Sequence, residues 1–193
     1  MLNFDFYNPT TIVFGKDRLQ ELDKFVPKEG NILITYGGGS IKKFGTLDKV
    51  ISALGDRKIF EFGGIEPNPR YTTLMKAVDL VKKENINFLL AVGGGSVMDG
   101  TKFIAAAAKF EGDDCTELFK NHGLYPSISN PIPLGTVVTL PATGSEMNPF
   151  GVVNFEDGKY GMFNSNTYPK FSFLDPELTF TLPETQVANG VVD

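Results

Sequence analysis

One short pattern occurs twice and limits the possible folds more than any other feature. Residues 32–40 read ILITYGGGS and residues 88–96 read FLLAVGGGS. Each is an apolar run, three glycines and a serine, followed by a stretch with helical spacing. Three glycines strip side chains from the turn, so a ligand can approach the backbone closely. A helix starting at the serine would aim its unpaired N–H groups and positive dipole end at that gap, which suits a phosphate. Two such turns imply two phosphate contacts with one extended ligand, and a dinucleotide is the simplest candidate.

The rest of the chain alternates in the same way. Strands are expected over 32–36, 58–62, 88–92, 134–140 and 171–174. Helices are expected over 16–25, 41–54, 71–84, 96–110 and 184–192. Asn8-Pro9 between two β-prone runs predicts an N-terminal hairpin, and Asp157-Gly158 predicts a second hairpin from 151–155 and 159–163. A polar, Pro-interrupted connection over 111–133 is expected to hold one short helix. Bare apolar strands alternating with helices predict an α/β fold with a doubly wound, mostly parallel sheet. Ligands of such sheets lie outside the carboxyl ends of the strands, where both glycine turns fall.

Bulk properties narrow the function classes. The 193 residues are 41% hydrophobic and 21% charged, with a net charge of −5, as in a globular domain. No Lys/Arg cluster exceeds a pair, which argues against nucleic acid and anionic membrane as partners. No apolar run is long enough to span a membrane. Cys115 is the only cysteine, so no internal disulfide can form, and the expected compartment is the cytoplasm. His122 is the only histidine and reads as a solvated loop residue. The sequence stops inside an expected helix, and is read as a fragment lacking a second domain.

Within GGGSVMDGTK, Gly94, Gly95 and Ser96 would hold a pyrophosphate with Asp99 on the first helical turn. Ser96-x-x-Asp99 also fits a capping box, which needs no ligand. The first turn, Gly37, Gly38, Gly39 and Ser40, opens onto Lys42 and Lys43. No Asp or Glu lies between Asn31 and Leu47, whereas NAD-selective sites place a carboxylate near the adenosine ribose. That favours NADP. Thr139, Leu140, Thr143 and Ser145 offer hydroxyls and open backbone after a strand, for a cofactor or for a plain turn. No side chain reads as an indispensable acid or base.

GGGSVMDGTKFIAAAA at 93–108, LPATGSEMN at 140–148 and LDPELTFTLPETQVANGVVD at 174–193 resemble the iron-containing (group III) alcohol dehydrogenases. The resemblance is nearest to the branch of NADPH-dependent butanol dehydrogenases and aldehyde reductases. FYNPTTIVFGK at 6–16 and GGIEPNPRYTTLMKAV at 63–78 also match. The resemblance implies an NADP-binding domain over 1–180, with 181–193 beginning a helical, metal-binding domain absent from this chain. It implies cofactor contacts from both glycine turns, the Thr-rich turn, Asn68, Lys159 and Leu178. It implies Asp193 as a ligand of a divalent metal, Fe2+ or else Zn2+, completed by three histidines. The activity implied is hydride transfer between NADP(H) and a small-molecule primary alcohol or aldehyde. Two alternatives stay open: an NAD-dependent glycerol dehydrogenase-like enzyme, and a non-catalytic nucleotide-binding fragment. The aromatic run Phe4–Phe14 predicts a homodimer contact, as the resemblance also does.

Overall fold

A computed structural model of the chain describes residues 3–120 and 128–192. Among the described residues eight strands form: β1 (Thr11–Phe14), β2 (Asn31–Tyr36), β3 (Lys58–Phe62), β4 (Ile86–Gly94), β5 (Leu134–Leu140), β6 (Phe150–Phe155), β7 (Gly158–Phe163) and β8 (Phe171–Leu174). The α-helices are α1 (Ser40–Lys43), α2 (Thr46–Leu54), α3 (Tyr71–Lys83), α4 (Gly95–Ala107), α5 (Glu117–Lys120) and α6 (Glu184–Val192). Six strands make one sheet in the order β1-β8-β5-β4-β2-β3, every pair parallel. β6 and β7 form the expected antiparallel hairpin.

The chain runs from β2 outward to β3, then returns to place β4 on the other side of β2. The order therefore reverses between β2 and β4. At such a switch point the connections leave toward opposite faces and open a crevice at the strand ends. Both glycine turns border it, because Tyr36 pairs in register with Val92.

Alternation along the strands explains why they read as unbroken apolar runs. Leu33, Leu89, Ala91 and Val138 face α3 and α4, while Ile32, Ile34, Leu90, Val137 and Phe173 face α2 and the residues around Leu19 and Leu22. Each strand thus serves two cores at once. Phe171 closes one end of the second core, packing edge-on to Phe173 and lying nearly parallel to Phe88. The hairpin β6–β7 covers α4, burying Val153 and Met162.

Three sequence expectations need correction. No N-terminal hairpin forms among the described residues: 3–10 carry no strand, and β1 pairs parallel with β8. Asn8 is used locally instead. Its Oδ1 accepts the Thr10 N–H at 2.9 Å and its Nδ2 donates to the Met147 carbonyl at 2.8 Å, an Asx-type turn tied to the segment that follows β5. The helix expected over 41–54 is broken in two at Gly45, whose φ of +73° is left-handed. The helix expected over 16–25 is a 3-10 helix at Arg18–Lys24.

Candidate functional site

The two glycine turns share a sequence but not a geometry. In the first, a Cβ on Gly38 or on Gly39 would meet nothing within 4 Å, and Gly39 has a φ of +100°. These residues leave bare backbone facing open space. The helix that follows, α1, is a single turn, so the dipole expected there is slight.

The second turn feeds the thirteen-residue α4, and here the helix-dipole argument applies in full. None of Gly93, Gly94 and Gly95 has a positive φ. They are glycines because of what crowds them. A Cβ would lie 2.6 Å from Val97 Cγ2 at Gly93, 3.3 Å from Leu140 Cβ at Gly94, and 2.6 Å from Thr143 Oγ1 at Gly95. The Thr-rich turn after β5 therefore crosses directly over the start of α4. Bonding between neighbouring strands brings it there, since Gly94 pairs with Leu140.

Ser96 and Asp99 do not form the capping box. The residue before α4 is Gly94, with no side-chain cap. Ser96 Oγ accepts the Asn68 N–H at 3.3 Å, which brings the loop after β3 to the turn. Asn68 sits in the left-handed region at φ +59°, where Asn is among the best-tolerated residues. Asp99 turns away from the helix start. Its Oδ1 accepts the Ser145 hydroxyl at 2.6 Å and its Oδ2 the Val152 N–H at 3.1 Å. It anchors the Thr-rich turn and the hairpin.

Beside Asp99 stands a residue that sequence reading passed over. Lys102 is fully buried. Its Nζ lies 2.7 Å from both the carbonyl and the hydroxyl oxygen of Ser145, 2.8 Å from the Phe150 carbonyl and 3.1 Å from Asn148 Oδ1. An ammonium has three protons, so this cradle of four acceptors saturates it. Burial pushes its pKa down to about 8, against the pull of Asp99 and Glu146. Burial likewise raises the Asp99 carboxyl, opposed by the Ser145 hydrogen bond. Asp99 and Lys102 stand three residues apart on one helix face and fasten residues 145–152 to α4. The signal was available in the sequence: one cation in the Ala-rich stretch TKFIAAAA, where a buried charge must find partners.

The remaining expected residues divide. Ser40, Thr139 and Leu178 line one cavity of about 330 Å3 together with Phe44, Thr46 and Leu182. Leu178 is buried there, in the 3-10 turn Pro176–Thr179 that follows β8. Lys159 is exposed on the hairpin opposite Asn154, and its ammonium makes no hydrogen bond or ion pair among the described residues. His122 and Asp193 lie outside the described residues. Among the described residues, no group of three or more His, Cys, Asp or Glu could hold a metal ion, so no step is derived through one. No helix among them is long and apolar enough to cross a membrane.

Open backbone at Gly38 and Gly39 and the start of the long helix α4 follow adjacent strands, and the largely apolar cavity adjoins Ser40 of the first turn and Thr139 at the end of β5.

Comparison with known proteins gives a consistent result. The family profile described as iron-containing alcohol dehydrogenase matches residues 9–176. The chain is 51% identical to the NADPH-dependent aldehyde reductase YqhD of Escherichia coli, across all of this chain and 50% of that protein. It is 48% identical to a probable NADH-dependent butanol dehydrogenase 2 of Bacillus subtilis, over all of this chain and 50% of the relative. The crystal structure of E. coli YqhD superposes with a TM-score of 0.94 at 51% identity, covering 99% of this chain and 49% of that one. NADH-dependent butanol dehydrogenase A of Thermotoga maritima superposes with a TM-score of 0.91 at 40% identity, covering 99% and 48%. The chain spans about half the length of the curated relatives it matches.

Proposed function

Because this chain belongs to the iron-containing alcohol dehydrogenase family, we propose that the protein transfers hydride between NADP(H) and a primary alcohol or aldehyde such as butanol or butanal. The observation that carries this reading is the convergence of three turns at the carboxyl ends of neighbouring strands. The bare Gly38–Gly39 backbone, the N-terminus of α4 and the Thr143 turn follow the adjacent strands β2, β4 and β5.

The cofactor supplies the hydride chemistry, and the chain binds and orients it. The N–H groups opening α4 would receive the pyrophosphate. The cavity lined by Phe44, Leu178 and Leu182 would receive the base. Asp99 and Lys102 touch neither; they fix the Thr-rich turn that would border the cofactor's reactive end, and rigid support of that kind sets catalytic geometry. The 2′-phosphate is assigned to the first turn, where no carboxylate lies between Asn31 and Leu47. For the metal we propose Fe2+ in preference to Zn2+, with Asp193 as one ligand.

Kinetics of the whole protein with butanal test the reading. Catalytic efficiency is expected to be higher with NADPH than with NADH, to fall on chelation and to return with Fe2+. Gly39→Asp is expected to reverse the cofactor preference by placing a charge against the 2′-phosphate. Equal or better efficiency of the unaltered protein with NADH sinks the NADP assignment.

We also propose a homodimer. Phe4, Phe6 and Tyr7 are 85%, 78% and 85% exposed, and β1 is a sheet edge. Exposed apolar groups beside an unpaired edge are an association site. Removing residues 1–10 is expected to halve the mass in solution measured by light scattering. An unchanged mass places the contact elsewhere.

A further inference from the structure

The first glycine turn has a neighbour that the sequence does not reveal. Glu61, near the carboxyl end of β3, is brought beside it because β3 pairs with β2 in parallel, Ile34 opposite Glu61. The loop after β3 is stitched to the turn itself: the Gly64 N–H donates to the Gly37 carbonyl at 3.0 Å. Lys42 adjoins from the other side, its N–H bonded to the Gly39 carbonyl at 3.0 Å. The Lys42 ammonium then lies 2.9 Å from Glu61 Oε2 and 5.0 Å from the centre of the Tyr36 ring. The Tyr36 hydroxyl donates to the same carboxylate oxygen at 3.1 Å. Gly63 makes this possible, since a Cβ there would fall 2.2 Å from Tyr36 Cε2.

Lys42 thus follows closely on the bare backbone of Gly38 and Gly39, and its ammonium is paired with the Glu61 carboxylate. Tyr36 and Glu61 both favour its protonated form, and Lys42 in turn holds the Glu61 carboxyl below its usual range. Lys43 leans instead toward the Phe44 ring, 5.4 Å from its centre.

We propose that Glu61 determines cofactor selectivity by competing with the 2′-phosphate for Lys42. With a cofactor lacking that phosphate the ion pair stays closed, and Glu61 remains an acceptor beside the ribose. With the phosphate present, Lys42 must be shared, and the carboxylate's charge opposes the phosphate. Glu61 therefore narrows the discrimination between the two cofactors. The inference rests on the proposed assignment of the 2′-phosphate to the first turn.

The test is the ratio of NADP+ to NAD+ affinity, measured by calorimetry on the whole protein, for the unaltered chain, Glu61→Gln and Lys42→Gln. The amide introduced by Glu61→Gln would keep an acceptor for Tyr36 and lose only the charge. Glu61→Gln is expected to raise the ratio about threefold at low salt, with the gain shrinking as salt screens it. Lys42→Gln is expected to lower the ratio. A ratio unchanged or lowered by Glu61→Gln overturns the inference. An unaltered protein that reduces butanal with neither cofactor overturns the proposed function instead. That result leaves the affinity ratio readable.

Discussion

Lys102→Met is expected to lower the stability of the protein by about 3 kcal/mol. Met fills the volume, but it takes the ammonium donor from the Ser145 and Phe150 carbonyls and the Ser145 hydroxyl in a buried place, and leaves Asn148 Oδ1 with only the Phe150 N–H. It also leaves the Asp99 carboxylate without the nearby positive charge that opposes its desolvation. For a domain of this size the thermal midpoint should fall by about 10 °C. Cofactor affinity should fall as well, because the turn held by Lys102 is the one that crosses Gly95.

The pH dependence provides an independent readout. The buried ammonium titrates at about 8 instead of 10.5. Between those values the unfolded chain holds a proton that the folded chain has released. This group alone therefore makes stability rise with pH through that window, and it costs most below pH 8. Lys102→Met should flatten that rise. Denaturant unfolding from pH 7 to 10 measures both effects. A variant as stable as the parent at pH 7, with the same slope, sinks this account of Lys102.

Two glycine substitutions should separate ligand space from packing space. Gly38→Ala places its methyl group where nothing lies within 4 Å. Stability should hold within about 0.5 kcal/mol, as at an ordinary surface site, while NADPH affinity drops tenfold or more. Gly95→Ala should lose both. Its backbone is already helical, so propensity alone would favour Ala by up to about 1 kcal/mol. Instead its methyl group meets Thr143 Oγ1 at 2.6 Å and Cγ2 at 2.7 Å, and the Thr-rich turn must move. Thermal unfolding and fluorescence titration with NADPH read the pair. A stabilised Gly95→Ala variant with full affinity would mean that the glycine serves only the backbone.

Much of the fold was legible because its signals are local. Strand β8 coincides with the expected strand 171–174, and α6 starts directly after Pro183. The β6–β7 hairpin and the parallel sheet followed from turn chemistry and from strands apolar on both faces, although the turn expected at Asp157-Gly158 forms one residue earlier, at Glu156-Asp157, because Gly158 pairs with Phe155 as the first residue of β7. The N-terminal hairpin failed because Asn8-Pro9 gives the same turn signal whether or not a second strand is available. The edge of β8 took β1, and Asn8 bonded across to Met147.

The site divides along the same line. Ser40, Ser96, Thr143 and the glycines were legible because each belongs to a continuous motif. Their reasons were not. In the second motif the glycines are required by Val97, Leu140 and Thr143, and two of those lie beyond the motif, on an adjacent strand and its turn. Asp99 was legible as a polar group at a helix start, yet its partners arrive from residues 145 and 152. Lys102 was legible only as a lone cation in an apolar stretch, and Glu61 not at all as a site residue, because a charge acquires its meaning from the groups that face it. By itself the sequence determined most of the strands, helices and bare turns, since backbone freedom and apolar periodicity act over a few residues. Only the tertiary structure decided which charges meet. Parallel strand pairing brought Glu61 to Lys42 and Ser145 to Lys102, and electrostatic attraction in a buried or half-buried place depends on distances in space rather than along the chain.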